Sequence, residues 1–191
     1  MLKWNFPEIN LTEQNSKTVI EKAYIALGSN LGSRSENLRE AIELLKRDES
    51  TIISGVSKIY LSEPKYFIEQ PDFLNAVIKI KTSHSPLQLL NLLLKIETEL
   101  GRIRTKKNGP RLIDMDILFY GDRIIKSDDL EIPHPMLYER LFVLKPLEDI
   151  DPKFVCPVTG KTISELVNST NDKEKIELYE EEIIRLENTR V

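Results

Sequence analysis

Two opposite kinds of charge meet in the segment GRIRTKKNGPRLIDMDILFYGD, residues 101–122. Asp114 and Asp116 stand one residue apart in its apolar second half, and on a strand they would project to the same side, about 6–7 Å apart. Two such carboxylates repel each other unless a cation lies between them, and Mg²⁺ is the cation that combines carboxylate and phosphate oxygens. The first half of the segment holds a cluster of cations and no acid: Arg102, Arg104, Lys106, Lys107 and Arg111.

Neither half of this segment is specific by itself. A basic loop is usually a solvated surface, and an isolated pair of aspartates on an exposed strand is usually solvated as well. Together they favour magnesium-assisted phosphoryl transfer, because guanidinium groups bind phosphate oxygens in a bidentate manner and can close over a polyphosphate. Glu97 lies four residues before Gly101, on the helix that leads into the loop. It could bind a ligand hydroxyl or amine, or it could pair with an arginine.

Charge and composition exclude several other classes of protein. The chain has 27 basic and 31 acidic residues and a net charge of −4, which indicates no general affinity for nucleic acid or membrane. The glycine-rich stretch GSNLGSRS lacks the Lys-Ser/Thr of a P-loop and is read as a tight turn, with backbone amides near a ligand as an alternative. The single cysteine, Cys156, fits a reducing compartment as a small, partly buried apolar residue. With no signal peptide or membrane span in the sequence, we expect a cytoplasmic protein.

The elements that must position these residues follow a β-α-β-β-α-β order. Strands are predicted at KAYIALGSNLG, TIISGVSKIYLS, DFLNAVIKIKTS and RLIDMDILFYGDRII, the last with a turn at Gly121-Asp122 and a short return strand. Helices are predicted at SRSENLREAIELLKRD, with a serine as N-cap, and at SPLQLLNLLLKIETELG, with Ser85 as N-cap and Pro86 at the first helical position. This order predicts an α+β fold, a ferredoxin-like sandwich of an antiparallel sheet with helices on one face.

The two ends of the chain read as additions to a single domain spanning residues 1–191. The catalytic core is expected at about residues 22–168, with an N-terminal extension over 1–21. A helical C-terminal extension is expected over 172–191, where Ile176, Tyr179, Ile183 and Leu186 have heptad-like spacing. We expect a monomer, with a dimer through this helix as the alternative.

Taken together, several motifs identify the chain as similar to a known enzyme family. The segments AYIALGSNLG, QPDFLNA, ELGRIR, GPRLIDMDILFYG and IPHPMLYERLFVLKPL resemble the 6-hydroxymethyl-7,8-dihydropterin pyrophosphokinases over roughly residues 23–167. The resemblance implies transfer of pyrophosphate from ATP to the pterin alcohol, with two Mg²⁺ ions, giving AMP and the pterin diphosphate in folate biosynthesis. ATP and the reduced pterin would be the partners, with no nucleic acid and no membrane.

The resemblance also implies roles for individual residues. The catalytic residues would be Arg102, Arg111, Asp114 and Asp116, with Asp114 and Asp116 as the metal ligands. The ATP-binding residues would be Glu97, Arg102, Arg104, Arg111, Ile117, His134 and Arg140. The pterin would be bound by Ser62, Glu63, Lys65, Phe73, Asn75, Asp114 and Phe142, with Phe73 and Phe142 stacking on the ring and Asn75 at its polar edge. By sequence alone, His134 could equally be a buried structural histidine.

Two rival functional classes make different demands on the sequence. An RNA-binding module of the same fold would need exposed aromatics on the sheet and a basic face, which the sequence lacks. A regulatory module would not need two aspartates beside three arginines. A kinase that transfers the γ-phosphate to another small alcohol would release ADP rather than AMP.

Overall fold

The computed structural model describes residues 19–65, 69–102 and 109–180. In chain order the elements are β1 (Glu21–Ser29), α1 (Arg34–Lys46), β2 (Thr51–Val56), β3 (Ile59–Ser62), β4 (Phe73–Thr82), α2 (Pro86–Glu99), β5 (Asp114–Tyr120), β6 (Ile125–Lys126), β7 (Glu131–Ile132), α3 (Leu141–Ile150), α4 (Ile163–Ser169) and β8 (Ile176–Glu180), with one 3₁₀ turn at Leu137–Glu139. The predicted ferredoxin-like core is confirmed from β1 to β5.

The main sheet is antiparallel, with the strand order β5-β1-β4-β3-β8, and β2 also pairs with β4. The predicted second strand is divided into β2 and β3, which pair with different halves of β4. At the break, Ser57 Oγ accepts a hydrogen bond from the amide of Val77 at 2.8 Å. This hydrogen bond satisfies the backbone amide of Val77 in β4 at the point where the neighbouring strand is interrupted. The sheet therefore tolerates the break.

Helices cover both faces of the sheet, whereas the prediction placed them on one face. Alternate residues of β1 point to opposite sides: Ile25 packs with α1 and α2, and Tyr24 packs with α3 and α4. Cys156 is fully buried in this second core, more deeply than predicted. Both faces are therefore apolar, which explains why the alternation of buried and exposed positions in β4 is imperfect.

Helix α3 is tied to the sheet through two tyrosines. Tyr60 donates to the carboxylate of Asp149 at 2.9 Å and Tyr24 donates to Asp151 at 2.6 Å. These bonds fix the C-terminal end of α3, so the N-terminal end of the helix is held over the end of the sheet where β1 stops and where β4 and β5 begin. The side chains of that N-terminal end form one wall of the candidate site.

Local signals predicted some helix ends well and others poorly. Ser85 is the N-cap of α2 with Pro86 at the first helical position, as predicted, and it also forms a capping box with Gln88. Ser33 does occupy the N-cap of α1, but its side chain makes no capping bond. Across the described part of the chain, no helix has the length and apolar character needed to cross a membrane.

Two predictions in the C-terminal half need correction. The predicted short return strand after Gly121 is present as β6, but it pairs with β7 and not with β5. The predicted C-terminal helix is contradicted at residues 176–180, which form strand β8 along β3. An edge partner for β3 decides the conformation there, since local helical spacing cannot compete with a ladder of backbone hydrogen bonds. Residues 1–18 and 181–191 lie outside the described residues.

Candidate active site

One row of residues crosses the end of the sheet and forms the floor of the candidate site. Gly28 on β1 is the register partner of Asn75 on β4 and of Asp114 on β5. Paired residues of an antiparallel sheet project to the same face, so Asn75 and Asp114 stand on either side of a position that has no side chain. Gly28 therefore leaves a slot in the floor between an amide and a carboxylate.

A cavity of about 610 Å³ opens over this floor. Phe73 and Asn75 lie two residues apart on β4 and both line it, as their strand spacing predicts; Phe142, at the start of α3, lines it as well. A guanidinium group lies beside each ring: Arg111 Cζ is 5.8 Å from the centre of Phe73, and Arg140 Cζ is 5.8 Å from that of Phe142. The cavity thus offers aromatic and cationic surfaces together, which suits a flat ligand joined to an anion.

The end of helix α2 delivers Arg102 to the cavity. Gly101 adopts a left-handed conformation with φ of 82°, and the amides of Gly101 and Arg102 bond to the carbonyls of Thr98 and Glu97. This is a Schellman ending, in which glycine reverses the chain direction without steric cost. Arg102 Nη1 lies 2.6 Å from Asp114 Oδ1 and also bonds to the Glu97 carboxylate.

Glu97 holds two parts of the site together. Its carboxylate accepts a hydrogen bond from the amide of Met115 at 2.8 Å, next to the bond from Arg102. Burial raises the pKa of Glu97 above its ordinary value, while Arg102 opposes the shift. Of the two roles that the sequence left open, the structure shows the pairing with arginine, and Glu97 also lines the cavity.

Asp114 is bonded by two arginines at once. Arg102 pairs with Oδ1 and Arg111 with Oδ2, so neither oxygen faces the cavity without a cation beside it. The predicted orientation of the strand is confirmed: Asp114 and Asp116 line the cavity, whereas Met115 belongs to the core on the opposite face and only borders the cavity. Ile117, predicted to contact ATP, has its side chain in that core and does not line the cavity.

Asp116 and His134 are neighbours in the lining of the cavity. Desolvation by the cleft walls and the charge of Asp114 raise the pKa of Asp116 to about 7, although 42% of its side chain stays open to solvent. Burial and the charge of Arg140 lower the pKa of His134 to about 4, so its ring is neutral at pH 7. The amide of Met136 donates to Nδ1 of this ring at 3.2 Å, which places the ring proton on Nε2, 3.9 Å from Asp116. His134 can therefore donate a hydrogen bond into the cavity, rather than being only structural.

The end of β3 and the residues directly after it form another part of the cavity wall. Ser62, Glu63 and Lys65, which the resemblance assigns to the pterin, all line the cavity. Ser62 Oγ accepts a hydrogen bond from the amide nitrogen of Asn75 at 2.9 Å, which fixes the orientation of that amide. The Lys65 ammonium donates to the carbonyl of Glu139 and thereby joins the loop after β3 to the residues that precede α3.

Sequence reasoning missed one residue that organises the site. Asn30, in the glycine-rich turn, is 2% exposed. Its side-chain oxygen Oδ1 accepts from the backbone amide of Arg111 at 2.7 Å, and its own backbone amide donates to the carbonyl of Arg111. Its side-chain nitrogen donates to the side-chain oxygen of Gln70 and to the carbonyl of Pro71. The backbone amide of Asn30 is therefore used to hold Arg111 rather than a ligand. An asparagine in a glycine-rich turn, with a side chain that can both donate and accept, was the signal that could have revealed it.

The donor set fits a magnesium ion that shares its shell with a ligand. Asp114 and Asp116 are two carboxylates on one strand face that repel each other, as the raised pKa of Asp116 indicates. Among residues 19–65, 69–102 and 109–180, no group of three or more His, Cys, Asp or Glu side chains forms a complete metal centre. One or two carboxylates completed by phosphate oxygens and water are what magnesium requires. Arg104, a predicted ATP contact, lies outside the described residues.

The site and fold define a class of protein: a ferredoxin-like sandwich whose cavity combines aromatic side chains with paired carboxylates and arginines. A family model described as 7,8-dihydro-6-hydroxymethylpterin-pyrophosphokinase (HPPK) matches residues 24–152, and the chain therefore belongs to this family.

Individual relatives agree with this family. The Haemophilus influenzae 2-amino-4-hydroxy-6-hydroxymethyldihydropteridine pyrophosphokinase is 43% identical over 156 residues, which cover 82% of this chain and 97% of the relative. The folic acid synthesis protein fol1 of Pneumocystis carinii is 47% identical over 159 residues, 83% of this chain and 21% of that protein. The chain thus spans about a fifth of the length of this longer relative. In structure, the chain is similar to the wild-type Plasmodium falciparum HPPK-DHPS with pteroate, with a TM-score of 0.65 at 18% identity over 78% of this chain and 42% of that one. This last likeness concerns the fold alone.

Proposed function

We propose that the protein transfers pyrophosphate from ATP to 6-hydroxymethyl-7,8-dihydropterin, giving AMP and the pterin diphosphate, with Mg²⁺ as the required metal. One observation carries the proposal: a single cavity joins an aromatic and amide slot (Phe73, Asn75 and Phe142) to a pair of carboxylates with arginines. A flat heteroaromatic alcohol suits the first part and a polyphosphate the second. Membership of the pyrophosphokinase family supports the same assignment.

In the proposed reaction the pterin hydroxyl oxygen attacks the β-phosphorus of ATP. The bond from that phosphorus to the oxygen bridging the α- and β-phosphates breaks, AMP leaves with that oxygen, and the hydroxyl proton passes to solvent. No covalent enzyme intermediate is required, so catalysis rests on in-line placement and on neutralising the charge of the phosphates.

The chain's own residues divide this work. Asp114 and Asp116 would hold the metal, which when bound draws charge from the phosphate oxygens. Arg102 and Arg111 are within reach of the same oxygens, because both already bond to Asp114. Neutral His134 would donate a hydrogen bond from Nε2 to an ATP oxygen. Asn75 would meet the donor and acceptor edge of the pterin, since a neutral amide offers both kinds of group.

The test is to mix the protein with ATP, Mg²⁺ and the reduced pterin alcohol and to identify both products. We expect AMP and the pterin diphosphate in equal amounts, with no reaction when EDTA is in excess. ADP with a pterin monophosphate would instead assign the protein as a kinase that transfers the γ-phosphate. Absence of any pterin-dependent nucleotide product would overturn the proposal.

A further inference from the structure

Residues 172–180 lie beyond the family match at residues 24–152, yet they contact the walls of the cavity. After α4 ends at Ser169, the chain turns back toward the cavity and then forms β8 along β3. This segment, Asp172–Glu180, is called the C-terminal strap below. Its first residue makes the contacts that matter for the site.

The Asp172 carboxylate joins the two walls of the cavity. Its Oδ2 accepts from the Lys65 ammonium at 3.0 Å and from the backbone amide of Leu141 at 2.8 Å. Lys65 belongs to the loop after β3, which forms one wall. Leu141 is the first residue of α3 and stands between Arg140 and Phe142, which line the other wall. One carboxylate therefore sets the spacing of two segments that are far apart in sequence.

The environment of Asp172 suits this task. Its side chain is only 7% exposed, so its bonds are poorly screened by solvent. Burial raises the pKa of Asp172, but the donors Leu141 and Lys65 outweigh burial and hold that pKa below its ordinary value. The group is therefore an anion at neutral pH and pairs with Lys65 as a full charge.

The rest of the strap is fixed at both ends. Asp172 Oδ1 also accepts from the amide of Glu174 at 3.2 Å, and at the far end of β8 Arg39 pairs with Glu180 at 2.6 Å. Within the ladder, Ile176 is the register partner of Ser62, the residue that orients Asn75. The strap thus supports the predicted pterin contacts from two directions: the loop through Asp172 and the amide through β3.

We propose that Asp172 is a positioning residue for the pterin slot, acting through Lys65 on the loop and through Leu141 on the start of α3. The assignment rests on the proposed function. A purely structural role, as a cap for α3, would affect stability and both ligands alike. A positioning role acts mainly on the pterin, because the metal-binding carboxylates and Arg102 are attached to other elements of the fold; Arg140 is the predicted ATP contact that adjoins Leu141.

The experiment measures the dissociation constants of a non-hydrolysable ATP analogue with Mg²⁺, and of the reduced pterin alcohol in the presence of that analogue. The full-length chain is compared with Asp172→Ala, Asp172→Asn, Lys65→Met and the double variant Asp172→Asn with Lys65→Met. Asp172→Asn keeps an acceptor for Leu141 but loses the charge that pairs with Lys65, and so separates the two contacts. Glu177→Gln is the matched control, because this strap glutamate is exposed and pairs only with Lys175 among the described residues.

We expect Asp172→Ala to weaken pterin binding about tenfold, as for the loss of a charge-assisted hydrogen bond, and to change the affinity for the ATP analogue less than twofold. Asp172→Asn should fall between wild type and Asp172→Ala. The double variant should bind the pterin no more weakly than the weaker-binding of its two single variants, because each single substitution already removes the contact between Asp172 and Lys65. Amide exchange at Leu141, measured without ligand, should be faster in Asp172→Ala and close to wild type in Asp172→Asn.

Three results would count against the proposal. Wild-type pterin affinity in Asp172→Ala would overturn it, as would an equal loss for both ligands together with a lower melting temperature. Additive effects of Asp172→Asn and Lys65→Met would show that the two residues act independently. If the wild-type chain itself bound no pterin, the proposed function would fail and the pterin role of Asp172 with it, whereas the Leu141 exchange would still report the contact between strap and α3.

Discussion

Arg102 Nη1 lies 2.6 Å from Oδ1 of Asp114. With Arg111 on the other oxygen, the carboxylate assigned to the metal is already neutralised by the two arginines assigned to the phosphates. Binding of a metal–polyphosphate complex would exchange these partners: Asp114 would turn to the cation and the arginines to the phosphate oxygens. The ligand-free arrangement therefore pairs the charges of Asp114, Arg102 and Arg111. Two predictions about activity concern these residues and Asp116.

The two aspartates of β5 should each be indispensable for turnover. Asp114→Ala or Asp116→Ala is expected to lower kcat by a hundredfold or more, about 3 kcal/mol, because one metal ligand is lost. The measurement is the steady-state rate of AMP release at saturating Mg²⁺, with circular dichroism to show that the fold is intact. Asp128→Ala, on an exposed segment, is the control. Near-native turnover in either variant would remove the metal assignment.

Arg111 should act on the transition state more than on ground-state binding. Arg111→Ala is expected to lower kcat while the pterin dissociation constant changes little, because its guanidinium would neutralise charge on the transferring group. Arg102→Ala should behave alike, with added instability because Glu97 stays buried without its cation. Arg123→Ala is the matched control, since Arg123 also lies over an aromatic ring but is remote from the cavity. A collapse of pterin affinity with kcat unchanged would make Arg111 a binding residue only.

The aromatic and amide side of the cavity should be selective for the pterin. Asn75→Ala and Phe142→Ala are each expected to weaken pterin binding by roughly 1–3 kcal/mol, through an unpaired polar edge and a lost stacking face respectively. Binding of a non-hydrolysable ATP analogue alone should barely change. Isothermal titration of both ligands measures this, and equal losses for the two ligands would contradict the assignment.

A methyl group at residue 28 should fill the slot without harming the fold. A Cβ at Gly28 would lie 3.6 Å from Asn75 Oδ1 and 3.9 Å from Phe73 Cδ1, which are ordinary contact distances. Gly28→Ala should therefore keep its melting temperature and lose about tenfold or more in pterin affinity. Gly160→Ala is the reciprocal control: φ is 68° there and nothing lies within 4 Å, so that variant should lose about 1–2 kcal/mol of stability and keep its affinity. Unchanged pterin affinity in Gly28→Ala would place the ligand elsewhere.

Glu174 should make the protein less stable as the pH rises. Its carboxylate oxygens are buried and make no hydrogen bond within the described residues. Burial and the nearby carboxylates Asp172 and Glu63 raise the pKa of Glu174 from 4.5 to about 7, against the opposing charges of Lys65 and Arg140. Below pH 4.5 the group is protonated in both folded and unfolded chains; between pH 4.5 and 7 only the folded chain keeps the proton, so stability falls across this range.

Glu174→Gln should remove this dependence. The variant is expected to match the wild type at pH 4.5 and to exceed it by about 1–2 kcal/mol at pH 8, a value reduced because the residue is only partly buried. Urea unfolding at the two pH values measures the difference, and Glu177→Gln, an exposed glutamate of the same strap, is the control. A constant difference between Glu174→Gln and wild type across the range would exclude Glu174 as the source.

Sequence reasoning succeeded where a short pattern determines the geometry. The structure follows three such patterns. Strand periodicity sets the shared face of Asp114 and Asp116 and that of Phe73 and Asn75, and the Ser85-Pro86 pair sets the start of α2. Sequence reasoning failed where contacts with residues distant in sequence determine the conformation or the role of a residue. Residues 176–180 form a strand because they pair with the open edge of β3. Asn30 acquires its role from contacts with residues 70, 71 and 111. The local spacing of residues 176–186 could not reveal the pairing of β8 with β3. The glycine-rich turn by itself could not reveal the contacts of Asn30.

Strand β8 also changes what the sheet presents to other molecules. Without it, the outer backbone groups of β3, within the apolar sequence Ile59-Tyr60-Leu61, would lie unpaired at the edge of the sheet, and such edges recruit strands from other chains. With β8 in place, the outermost strand carries Glu177 and Glu180, whose charges disfavour pairing with a second copy. We therefore expect resistance to aggregation at high protein concentration to depend on a segment beyond residues 24–152, the part that the family model matches.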